Sequence, residues 1–192
     1  MRKILITFVL CCIALCGFAQ EHLSFKGIPI TGPMTTFCQE LKAKGFVQIG
    51  TKSNVRMFKG DFTGRQATVG VAAADNGQDV FSVAVFFDSS DSWNTLVQTY
   101  EHYKDLYSEK YGKPIQCVEN NPSNGDLNMF LMHELCQGRV TYACIFEAPG
   151  GVIQLSIEKE GLSNGYVMIK YQDAQNVSAK RQKDLDEIIT VR

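Results

Sequence analysis

Six short runs in this chain alternate apolar and polar residues, and they fall into two groups of three. The first group is Val55–Phe62, Gln66–Ala73 and Val80–Phe87, broken at Thr63-Gly64 and at Asp75-Asn76-Gly77. The second is Val140–Phe146, Val152–Glu158 and Tyr166–Tyr171, broken at Pro149-Gly150-Gly151 and at Ser163-Asn164-Gly165. Side chains repeat every two residues along a strand, so each run offers one apolar face and one polar face. Short turns rich in glycine and asparagine make each group an antiparallel meander. A sheet with one apolar face needs a cover, and the segments between the groups have the 3.6-residue spacing of helices. The fold class is α+β.

After an extended piece, Leu23–Ile30, Gly32-Pro33 opens a helix with Met34, Phe37, Cys38 and Leu41 on one side, and Gly45 ends it. Asp88–Ser92 supplies caps for a longer helix carrying Trp93, Leu96, Tyr100, Tyr103, Tyr107 and Tyr111, stopped by Gly112 and Pro114. Leu127–Cys136 reads as a short helix, and Val177–Ile189 as a charged one with Leu185, Ile188 and Ile189 inward. Set side by side, the two parts are a repeated helix-plus-three-strand unit, about 23–91 and 92–175, followed by the C-terminal helix. Phe81–Asp88 matches Tyr166–Asp173 in length and apolar character. The predicted arrangement is helices on a sheet in two layers. With no flexible linker between the units, residues 20–192 read as one domain.

Residues 1–19 begin Met1-Arg2-Lys3, continue through an apolar run and close on Gly17-Phe18-Ala19, the form of a cleavable signal peptide. Leu15 before Cys16 does not suit lipid attachment, so the expectation is a periplasmic or extracellular protein. Later apolar runs are interrupted by charge, which predicts no transmembrane segment. The 19 Lys and Arg against 20 Asp and Glu leave no basic excess for nucleic acid. Cleavage would leave Cys38, Cys117, Cys136 and Cys144 in an oxidising compartment, where three connectivities exist. Cys117 with Cys136 is favoured, closing the polar excursion Glu119–Asp126, while Cys38 reads as a small buried hydrophobe.

The segment His22-Leu23-Ser24-Phe25-Lys26-Gly27-Ile28-Pro29-Ile30, then Phe37, Leu41, Lys44-Gly45-Phe46, and Tyr107–Pro114 resemble small exported proteins of Bacteroides-type bacteria. That resemblance implies an envelope location and no activity. The doubled layout is also similar, at fold level only, to domains of the β-lactamase-inhibitor-protein type, and a fold does not assign inhibition.

Motifs with chemical meaning are incomplete. Gly161-Leu162-Ser163-Asn164-Gly165 fits the nucleophile elbow, but a strand follows it and no histidine does, so Asn164-Gly165 reads as a hairpin turn. Ser156 and Lys159 would fall on opposite faces of a strand. His133-Glu134 starts a zinc motif that Gln137 breaks, and Cys117, His133, Cys136 and Cys144 lack paired metal spacing. No metal or cofactor is expected. Asp88 and Asp91 serve as helix caps rather than calcium ligands. His22 sits at a frayed terminus and His102 on a solvated helix face.

Three functions compete. The first is a noncatalytic binding or inhibitory module for a protein or glycan, using Trp93, Tyr100, Tyr103 and Tyr107 where they are not core, or strand-end rings such as Phe62 and Tyr142. The second is a thiol-dependent hydrolase built from Cys136 or Cys144 with His133 and an acid, Glu134 or Asp126. The third is an oligomeric envelope protein that pairs through its sheet edges. The missing motifs place the noncatalytic module first.

Overall fold

A computed structural model describes residues 21–74, 77–120 and 128–190, with side chains at 128–129 and 187–190 excluded. The expected signal peptide, Asp75-Asn76, Asp126, Leu127 and the side chains of Ile188 and Ile189 lie outside the described residues. The chain runs β1 (Ser24–Phe25), β2 (Ile28–Pro29), α1 (Met34–Ala43), β3 (Val47–Lys52), β4 (Val55–Phe62), β5 (Arg65–Ala73) and β6 (Val80–Phe86). It continues α2 (Trp93–Tyr111), β7 (Gln116–Asn120), α3 (Asn128–Cys136), β8 (Thr141–Ala148), β9 (Gly151–Glu160), β10 (Asn164–Asp173) and α4 (Ala174–Thr190). The first two strands make a small hairpin. The other eight form one antiparallel sheet in the order β3-β4-β5-β6-β10-β9-β8-β7, so the last strand of each half meets at the centre.

Each group therefore has four strands rather than three, because β3 and β7 flank the two meanders as outer strands. Both lie beyond the helices that cover the core, so even where apolar residues alternate, as Val47 and Ile49 do in β3, they face solvent. Every residue of β7 is exposed, and β3 is exposed apart from half-buried Gln48. The turn joining β3 to β4 has positive φ at both Ser53 and Asn54, as does Thr63-Gly64 between β4 and β5. That pairing of left-handed residues matches the right-handed twist of the strands they join.

One face of the sheet holds the core. Val69, Val71, Val83, Val85, Phe146, Ile153, Leu155 and Ile169 are fully buried on it. The α2 helix lies against this face, where Tyr107 meets Phe146 and Tyr171 and Tyr100 meets Tyr142 edge-on. Gly165 lets α2 and α3 come close, since a Cβ there would stand 2.8–2.9 Å from Leu135, Leu96 and the Glu158 carbonyl. Gly165 is thus a close-approach glycine inside β10. The β9–β10 turn falls earlier, at Gly161-Leu162-Ser163, with Gly161 at φ 65°.

Matching Phe81 to Tyr166 sets core-facing Val83 against Met168, whereas the buried residues of β10 are Val167, Ile169 and Tyr171. A one-residue offset reverses the faces of a strand, so pairing Phe81–Asp88 with Tyr166–Asp173 sets core-facing residues of one against outward-facing residues of the other. Leu185, expected inward, is 45% exposed.

The halves and the termini are tied by two side chains at the start of α4. Asp173, with no exposed surface, accepts from the Leu23 and Asn176 amides, at 3.0 and 2.9 Å, and faces His22 Nδ1 at 3.0 Å. Asn176 donates its amide to the carbonyls of Ile30 and Val80, both at 3.0 Å. His22 is therefore anchored rather than frayed, because a buried carboxylate needs donors and the amino-terminal segment supplies two.

Candidate functional site

A cavity of about 630 Å³ opens between the amino-terminal segment, the β4–β5 turn, the second half of α2, and β10. That size suits a small ligand. Its floor is aromatic: Phe62, Tyr103, Tyr107 and Tyr171, with Leu106 and Tyr111 toward the opening. Helical spacing delivers Tyr103, Tyr107 and Tyr111 to one side of α2, and the β10 pleat brings Tyr171 up beneath them. Phe25 packs on Tyr171 at 5.2 Å and on Phe62 at 5.9 Å, closing the floor from behind. Lys26 and Lys110 stand at the rim with Glu21 and His22. Lys26 is held by the Asp61 carbonyl at 2.9 Å and lies over the Phe46 and Phe62 rings, and Lys110 lies over Tyr111 at 4.9 Å. In both lysines it is the ammonium group itself that lies over the rings, at the border of the cavity.

The floor's polar atoms are paired. Tyr107 and Tyr171 share a hydroxyl–hydroxyl hydrogen bond, and Tyr103 bonds Thr63 Oγ1 at 2.8 Å. Burial raises the phenols of Tyr107, Tyr171 and Tyr103 above the ordinary tyrosine range, and does the same for Tyr100, Tyr142 and Tyr166. A phenol whose folded pKa is raised binds its proton more tightly than the unfolded chain does. Its stabilising contribution is complete below the unfolded value near 10 and is lost as pH rises past it. Ultraviolet titration is expected to show these phenols ionising late, together with loss of the fold. Smooth ionisation near pH 10 with far-ultraviolet circular dichroism intact would contradict the burial.

The aromatic stripe thus divides. All four are buried in the core, but Tyr103 and Tyr107 also line the cavity, whereas Trp93 and Tyr100 pack on the Tyr142 ring, at 5.1 and 5.6 Å. Phe62 is buried at the cavity floor and Tyr142 is half-buried, so neither is a solvent-facing loop ring. Two features passed over in the sequence complete the site, the Lys26-Gly27 turn and Tyr171. The turn is legible in hindsight, since Lys-Gly between Phe25 and Ile28 makes a tight hairpin with positive φ at both positions.

At the other end of α2, Cys117 is joined to Cys144 and not to Cys136. The β7–β8 register sets Cys117 directly opposite Cys144, while Cys136 lies on α3 with its sulfur toward the Asn164 carbonyl. Closing 27 residues, the bridge stabilises by about 3.5 kcal/mol on a loop-entropy basis. Cys38 and Cys136 are free, Cys38 being buried in the core. His133 is exposed, and Glu134 is held in a bidentate pair by Arg139 at 2.6 and 2.7 Å, which lowers its carboxyl pKa. Of that thiol set, Cys144 is bridged and Glu134 is paired with Arg139, while the free Cys136 and the exposed His133 stand three residues apart on α3. The outer strand β3 exposes Val47 and Ile49. Among the described residues no helix is long and apolar enough to cross a membrane. No protein-family model, no curated protein and no solved structure matches this chain.

Proposed function

We propose that this is an exported, noncatalytic binding or inhibitory module that takes a ring-bearing ligand with negative charge, such as an acidic glycan segment, into the cavity beside α2. The observation that carries this is the combination of an aromatic floor with Lys26 and Lys110 at the rim. The floor rings leave little of their surface exposed, so they offer a ring-bearing ligand a narrow apolar contact, and with the floor's hydroxyls already paired polar recognition falls to the two ammonium groups. Export rests on the charged and apolar start of the sequence, and the likeness to Bacteroides-type exported proteins fits that address. The two sets of four strands, each preceded by a helix and meeting at β6 and β10, support descent from a duplicated unit into whose second copy α3 was inserted between β7 and β8.

The test uses protein recovered from the periplasm or medium, whose intact mass should begin at Gln20. Titration calorimetry with acidic and neutral oligosaccharides is expected to show binding of the acidic set. Leu106→Trp should fill the opening and abolish binding without lowering the melting temperature. Lys26→Ala with Lys110→Ala should weaken acidic ligands about tenfold, the loss of one to two charge-assisted contacts, and leave neutral ones unchanged. Equal binding by wild type and Leu106→Trp would refute the site.

A further inference from the structure

We propose that the Cys117–Cys144 bridge is the oxidised form of a zinc site, in which both sulfurs and the Glu119 carboxylate ligate the metal once the bridge is reduced. Cys117 and Glu119 are two apart on β7 and share a face, and Cys144 lies across the ladder on the same side. One Glu119 oxygen stands 3.4 Å from the Cys117 sulfur and 3.6 Å from that of Cys144. With Zn–S of about 2.3 Å and Zn–O of about 2.1 Å, tetrahedral geometry separates a sulfur and an oxygen ligand by about 3.6 Å. In the bridged state the carboxylate thus stands at ligand spacing from both sulfurs, and its side chain must follow them as they part. Parting the sulfurs to the roughly 3.8 Å a tetrahedron requires moves each by about 1 Å, within the reach of side-chain rotation.

Two neighbours complete the arrangement. The Tyr100 hydroxyl is 3.0 Å from the Cys144 sulfur and 3.0 Å from Glu119, leaving it able to donate to either ligand. Lys104 bonds Glu119 at 2.6 Å but also sits 3.4 Å from Glu101, so a cation at Glu119 would leave the lysine its second carboxylate. Cys117 and Glu119 are exposed on the outer strand, open to metal and reductant, whereas Cys144 is buried. A dithiol reductant supplies two electrons and two protons. The S–S bond breaks to two thiols, the reductant becomes a disulfide, and zinc then displaces both thiol protons.

The experiment reduces the purified protein with a phosphine, removes the phosphine and titrates cobalt(II), whose thiolate bonds give ultraviolet charge-transfer absorption. One equivalent of cobalt with that absorption is expected in the reduced protein and none in the oxidised protein, and zinc should displace it. Cys117→Ser should abolish the signal, and Cys136→Ser and Cys38→Ser should leave it intact. Glu119→Gln should weaken binding at least as much as the roughly 10–100-fold that the loss of an outer partner costs a metal site. If reduction alone unfolds the protein, recovery of its circular dichroism on adding zinc supports the site and failure to recover overturns it. Absence of the absorption in folded, reduced protein, its survival in Cys117→Ser, or undiminished affinity in Glu119→Gln would also overturn it.

Discussion

Gly151→Ala is expected to be severely damaging, lowering stability by about 4 kcal/mol or more and leaving little folded material. Gly151 opens β9 opposite Asp173 of β10. A Cβ there would overlap the Gln172 carbonyl oxygen and stand 3.1 Å from its carbon and 3.2 Å from the Asp173 Cα. These are backbone atoms of a central strand, so relief requires pulling β9 from β10 next to the buried Asp173 cluster. Gly138→Ala is the control. That glycine has φ 73° and nothing within 4 Å of its Cβ position, so the change should cost only the left-handed penalty of about 1–2 kcal/mol. Urea denaturation of both variants checks the contrast, and equal midpoints would show that the β9–β10 contact yields easily.

Asp173→Ala is expected to cost about 3–5 kcal/mol. It removes the acceptor for the Leu23 and Asn176 amides and the partner of His22, at a position with no exposed surface. The Asn176 amide is the cap contact of α4, which by itself contributes about 1 kcal/mol. The rest of the loss comes from a buried amide left without a partner where the amino-terminal segment meets the sheet. Because Glu21, His22, Leu23, Ser24, Lys26 and Gly27 line the cavity, ligand binding should fall together with the stability. Hydrogen exchange at the Leu23 amide should rise more than exchange in β5. Uniform acceleration everywhere would show that Asp173 acts on global stability alone.

Much of the fold was legible because periodicity reports burial. The α2 helix, the turns at Thr63-Gly64 and Pro149-Gly150, and six of the eight strands of the large sheet follow from residues whose faces differ in polarity. Gln116–Asn120 shows no such contrast, and the alternation of Val47-Gln48-Ile49-Gly50 is too short to mark a strand and points its apolar residues to solvent. The disulfide was illegible for a related reason. Its partner depends on the register of β7 against β8, and the sequence of β7 carries no strand signal of its own. The cavity was half legible: the α2 stripe named Tyr103 and Tyr107, but helical spacing could not say which tyrosines would meet Trp93 and which would meet Tyr171. Long-range partners of that kind are set by topology, as is the anchoring of His22 by a carboxylate about 150 residues away.

The meeting of β6 with β10 at the middle of the sheet also sets a timetable for assembly. Val85 pairs with Ile169, roughly 80 residues further along the chain, so at 5–20 residues per second the first half spends about 4–16 s with its most apolar strand lacking one neighbour. During that interval β6 is a sticky border able to capture another newborn chain, and Val83 and Val85 on it are among the most deeply buried side chains of the finished protein. Closure by β10 heals that border last. Slow, late-committing folding is the consequence, and any factor that hands the chain over before its second half arrives would leave it prone to clumping.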